Sequence, residues 1–314
     1  MHSSRSSWIW LFNGLVYLFL VLVTAFAVER ANAFTGDAPV YAAADAKKYL
    51  KKSGVSSLQG TDKTNVAITE FVIEYVTETS KGADGSGLVG RVAMTGLKKA
   101  GVGRSQMKID EAAKGQLAAD LYPIFVSRLE EQGFTVLTLE DVAGSAAYES
   151  FATETKGSRS RTTDYQHLTG VATRESSETY SVAGLAVQKS GAFGQMKNMK
   201  AGARLMHELS VDRTLQVRLR VMLNKGQLSL DKGSMVFVTT GYNMTHMPGG
   251  KEIFNPKKTG QLQLKKPLVH PGGIVDEQSR EFGEGKVSQV NSEALLRNGA
   301  ALFDGFSLMV AATL

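Results

Sequence analysis

Apolar and polar positions alternate most cleanly along residues 214–223. Leu215, Val217, Leu219, Val221 and Leu223 fall on one side, and Gln216, Arg218 and Arg220 on the other. This period of two predicts a strand with one buried and one polar face. The turn signal Asn224-Lys225-Gly226 follows, then apolar-rich stretches at 227–230 and 234–240, so the region reads as an antiparallel meander. An earlier run, 66–76, is dense in β-branched and aromatic residues and predicts another strand, with Val66, Ile68, Val72 and Tyr75 inside. Glu70, Glu74 and Glu78 read as the solvated edge of that strand.

The spacing changes to three and four after Asp110. Leu117, Leu121, Ile124, Phe125 and Leu129 make one apolar stripe, which predicts a helix. Asp110 is placed as its N-cap, Glu111 sits in the first turn where the helix dipole favours an acid, and Gly133 is placed to end it. Pro123 predicts a kink or a restart, and a short strand is expected over 134–139. Further helices are predicted over 142–151, over 196–209 on Met199, Leu205, Met206 and Leu209, and over 292–310. The last is capped by Ser292 and carries Leu295, Leu296, Leu302, Phe303, Phe306 and Met309, with Gly299 and Gly305 as points of close packing. Together these elements predict an α/β (α+β) fold: a mixed sheet with an antiparallel meander, covered by helices.

Between the patterned stretches lie two unpatterned ones. Residues 152–190 are polar and read as an exposed insertion. Residues 241–286 hold four of the chain's 6 prolines and read as irregular, with an edge strand at 261–264. At the other end, Arg5, the apolar run Leu15–Val28 and Ala31-Asn32-Ala33 match a cleavable export signal. The expected organisation is a signal peptide over 1–33, a linker or peripheral segment over 34–64 and a single domain over 65–314. The mature chain would begin at Phe34, carry no membrane span, and be periplasmic or secreted.

Composition narrows the chemistry. The absence of cysteine removes disulfides, thiolate metal sites and a cysteine nucleophile, so an exported chain of 314 residues must hold together by core burial. A net charge of +6 is mildly basic and lacks the clustering that nucleic acid requires. Gly85-Ser86-Gly87-Leu88-Val89-Gly90 matches GxGxxG but does not lead from a strand into a helix, so it reads as a hairpin loop, and no cofactor is expected. The five histidines (His2, His167, His207, His246 and His270) show no metal-ligand spacing, and His207 reads as a packing residue. A dispersed Ser/His/Asp site using His167, His246 or His270 stays open. The basic residues Lys257, Lys258, Lys265, Lys266, Arg159 and Arg161 are the candidate contacts to acidic partners or to an anionic surface.

The order of elements behind an export signal resembles the periplasmic α/β domain of the curli-secretion (CsgG-like) and TolB N-terminal groups. The stretches that carry the resemblance are VAITEFVIEYV, LAADLYPIFVSRLEEQGFTVLTLEDV and MHELSVDRTLQVRLRVML, within residues 64–240. It implies an exported, non-enzymatic envelope or assembly component that acts through protein contacts or self-association. The lipid-bearing cysteine of the secretion proteins is absent here. A secreted hydrolase with a dispersed site and an exported ligand-binding protein are the alternatives.

Overall fold

The sheet is built on β2 (Asn65–Ala83), 19 residues long. A computed structural model of the chain describes residues 40–54, 65–83, 103–137, 139–151, 153, 159–166, 171–182, 187–189, 192–281 and 285–314, all within one compact unit, Pro39–Leu314. The predicted export signal and the GxGxxG loop lie outside the described residues. Along one edge, β2 pairs in parallel with β7 (Arg213–Asn224) and then antiparallel with β3 (Arg104–Lys108). Along the other it takes β4 (Thr135–Leu137) in parallel and then β6 (Val171–Ser181) antiparallel. The predicted mixed sheet is present, 13 strands among the described residues.

Beyond β7 the antiparallel meander runs as the alternation predicts. β7 turns into β8 (Gln227–Leu230) through Lys225 and Gly226, both at positive φ (53° and 84°), so the turn is two residues long rather than three. β9 (Met235–His246) pairs with β7, β10 (Glu252–Leu264) pairs with β9, and the short β1 (Leu50–Ser53) pairs with β10. On the far side β13 (Gly285–Val290) lies parallel to β3 and carries β12 (Val275–Glu281), while β11 (Leu268–Gly273) pairs with β8.

Two expectations need correction. The stretch 241–286 is mostly strand, and residues 159–166 form β5, an antiparallel partner of β6 in the same sheet. Both stretches are polar because their strands run along sheet edges or out into solvent, where no apolar alternation is required.

The first sheet face is covered by α2 (Glu111–Glu131) and α6 (Ser292–Ala311), whose apolar stripes meet Val66, Ile68, Phe71, Ile73 and Tyr75 of β2. These inward residues switch from even to odd numbers because the register with β7 shifts between Ile68 and Glu70. One extra residue in β2, a β-bulge, moves every later side chain to the other face. Asp110 caps α2 by accepting from the Ala113 N–H at 3.1 Å, and Gly133 follows its end at φ 85°. The helix is continuous through Pro123, which faces solvent. Asn291, not Ser292, caps α6.

The second face carries α5 (Ala192–Glu208), with α3 (Leu139–Ala143) and α4 (Ala146–Glu149) beside it, packed on Ala67 and reaching Phe254. Residues 41–53 belong to the body. A short α1 (Ala46–Tyr49) leads into β1, Tyr41 Oη bridges the backbone of Val269 (3.1 and 3.0 Å), and Tyr41 seats against Gly305 of α6.

Candidate functional site

The alternation of β7 sends Gln216 and Arg218 to the second face. The register aligns Gln216 with Phe237 of β9, and Phe237 with Gln261 of β10. Thr239 and Thr259 form the next matched pair. These side chains floor a cleft of about 270 Å³, closed on one side by Gln195 and Met199 from the first half of α5, with Ser53 of β1 at its margin. The helix covers the sheet only part-way, and the cleft is the space it leaves.

Behind the cleft lies a buried charge. The β2 bulge turns Glu70 inward to the second face, where its side chain is 0 % exposed. Arg218 donates to it through Nε (2.8 Å) and Nη2 (3.1 Å), and Nη2 also donates to the Gln188 carbonyl at 3.0 Å. The Gln188 backbone N–H donates to Glu70 Oε1 at 2.7 Å, and its side-chain amide donates to the Thr69 carbonyl at 3.0 Å. Burial holds the Glu70 carboxyl above its ordinary range, against the pull of Arg218. Arg218 thus presents the cleft with a charge already matched from behind.

The acids of β2 are not a solvated edge. Glu70 pairs with Arg218, Glu74 lies 3.7 Å from Arg220, and Glu78 pairs with Arg104 at 2.6 Å. Arg220 also meets Glu175 and Asp231. β2 is central, so its acids have partners on neighbouring strands. The signal was present in the sequence as acids at every fourth position on one strand and arginines on the polar side of another.

No protein-family model, curated protein or solved structure matches this chain. Its chemistry therefore rests on its own geometry. A second charged cluster joins α2 to β6. Lys114, nearly buried, donates to Glu111 and Glu178 at 2.5 Å each, and Tyr180 donates to Glu111. Burial and the Glu111 carboxylate push the Tyr180 hydroxyl up to about 12. Each of these four side chains faces another of the group, so the cluster reads as a clamp holding the β5–β6 hairpin.

The structure does not gather the predicted basic contacts into one patch. Lys257 and Lys258 lie exposed on β10, Lys265 and Lys266 just past its end, about 25 Å away at roughly 3.3 Å per residue. Lys265 is spent locally, donating to the Lys47 carbonyl at 2.9 Å. Arg159 and Arg161 are on β5, five strand spacings or roughly 24 Å from β10.

His207 packs against Tyr242 and Phe254 with both ring centroids at 5.3 Å, its Nδ1 2.8 Å from the Tyr242 hydroxyl. His246 lies 3.6 Å from Glu252, and His270 accepts from the Gly272 N–H at 3.0 Å. His167 lies outside the described residues. Among the described residues no group of three His, Asp or Glu side chains is placed to hold a metal ion, and no helix is long and apolar enough to cross a membrane.

Proposed function

We propose that the chain is an exported, non-enzymatic component of the cell envelope or of an assembly, working through protein contacts. The observation that carries this is on α5, where Phe193 is 90 % and Met196 50 % exposed, one helical turn apart on the same face. Scattered apolar side chains are ordinary on a surface; a paired ring and thioether beside a cleft offer a partner desolvation energy. The β9–β10 hairpin offers a second such pair, Met244 and Met247. The export signal in the sequence and the resemblance to envelope domains point the same way.

A photo-crosslinking residue placed at position 193 or 247 of the full chain tests this in the producing cells. Specific adducts with an envelope protein or a second copy are expected from 193 or 247, with none from the exposed turn position 225. Equal labelling at all three positions, or none at any, overturns the reading. Export has its own measurement, since the intact mass of the exported protein should begin at Phe34. The cleft favours a second reading, in which the protein also holds a small ligand.

A further inference from the structure

We infer that the cleft between α5 and the second sheet face binds a neutral, oxygen-rich ring ligand, a carbohydrate unit. The lining is the argument. Apart from Arg218 it carries no charge, and Arg218 is neutralised by Glu70. An anion gains little from a guanidinium whose charge is already matched, so the site does not select for charge.

What it presents is donors and acceptors without charge. Gln195 reaches in from the helix, Gln216, Gln261 and Thr239 from three adjacent strands, around the ring of Phe237. Gln195, Gln216 and Thr239 make no side-chain hydrogen bond among the described residues, although Thr239 is only 6 % exposed. Arg218 uses Nε and Nη2 inward, and its Nη1 takes no acceptor among the described residues. These groups line the cleft, where water or a ligand can satisfy them. Amides and hydroxyls beside one aromatic ring suit a pyranose, which is polar at its rim and apolar across its ring.

Size and orientation narrow the choice. A cleft of about 270 Å³ sits at the small end of ligand pockets, which span roughly 300–1,000 Å³. It suits one ring better than a chain. Its floor crosses β7, β9 and β10, whose backbones pair with one another there, so little main chain is left for the ladder that an extended peptide uses.

The site rests on the cleft alone and stands whether or not the protein-contact reading holds; its test uses the purified mature chain rather than cells. Saturation-transfer NMR and calorimetric titration with glucose, N-acetylglucosamine and their β-1,4-linked dimers should detect binding. Glucuronate should bind no tighter than glucose. Gln195→Ala changes an exposed helix position and keeps the fold, and it should weaken sugar binding about tenfold; Gln216→Ala should do the same, and Lys225→Ala should change nothing. Absence of binding by every neutral sugar at about 10 mM overturns the inference. So does affinity unchanged in both glutamine variants, or a capped diglycine that binds tighter than the sugars and so assigns the cleft to peptide.

Discussion

Arg218 and Glu70 meet where burial gives a single side chain its largest effect. Arg218→Ala leaves a carboxylate in the sheet with only the Gln188 N–H to face it, and equilibrium denaturation should register a loss of about 3–5 kcal/mol. Replacing both residues with leucine removes the desolvation cost together with the attraction, so the double variant should recover most of that loss. Glu208 gives the pH dependence. Burial pushes its carboxyl up, but hydrogen bonds from Ser145, the Ala147 N–H and Arg204 outweigh this and hold it below the usual 4.5. A carboxyl lowered on folding stabilises the protein fully above its unfolded value and loses that contribution as pH falls through the folded one. The stability gap between the native chain and Glu208→Gln should therefore be widest above about pH 5 and close as pH drops below 4.5.

Among the elements, α6 shows how much two glycines can differ. A Cβ on Gly305 would stand 2.8 Å from Tyr41 Cβ and 2.9 Å from the Tyr41 carbonyl oxygen, which is backbone. On Gly299 it would meet side-chain methyl ends, those of Leu117 at 2.8 and 3.1 Å and that of Leu228 at 3.5 Å. Gly305→Ala should thus cost about 1–3 kcal/mol. Gly299→Ala gains about 1 kcal/mol of helix propensity against a small repacking, so its thermal midpoint should stay close to the native one.

These glycines, the Asp110 cap and the α2 stripe were legible in sequence because helix signals are local and recur within one or two turns. The β2 bulge was not. It depends on pairing with β7, far along the chain, and Thr69 carries no mark of being the extra residue. For the same reason the β5–β6 hairpin and the outer half of β10 read as loops, since strands with water on one or both sides carry no apolar alternation. The cleft was hidden too, because its glutamines and threonines become a site only when three strands and a helix bring them together.

Over the whole molecule, the outer end of the β9–β10 hairpin stands apart from the core. Residues 243–252 are exposed, and the last buried layer is Phe254 with its neighbours Tyr242 and His207. Met244 and Phe254 face each other across the hairpin, so an Asn-Gly turn can replace residues 245–253 without disturbing the register. The shortened chain should keep its circular-dichroism spectrum, and a lost spectrum would show that the outer hairpin supports the fold.

The central position of β2 also sets an order of events. Its first residues pair with Arg213 and its neighbours, and 147 positions separate Asn65 from its hydrogen-bond partner Asp212. At synthesis rates of about 5–20 residues per second, the strand waits roughly 7–30 s for its parallel partner to be made. During that interval β3, β4 and β6 are made and can pair with β2, but its long edge toward β7 stays open and the main core cannot close. The sheet therefore closes last on its β7 side, and until then an unpaired strand edge of β2 is open to pairing with other chains.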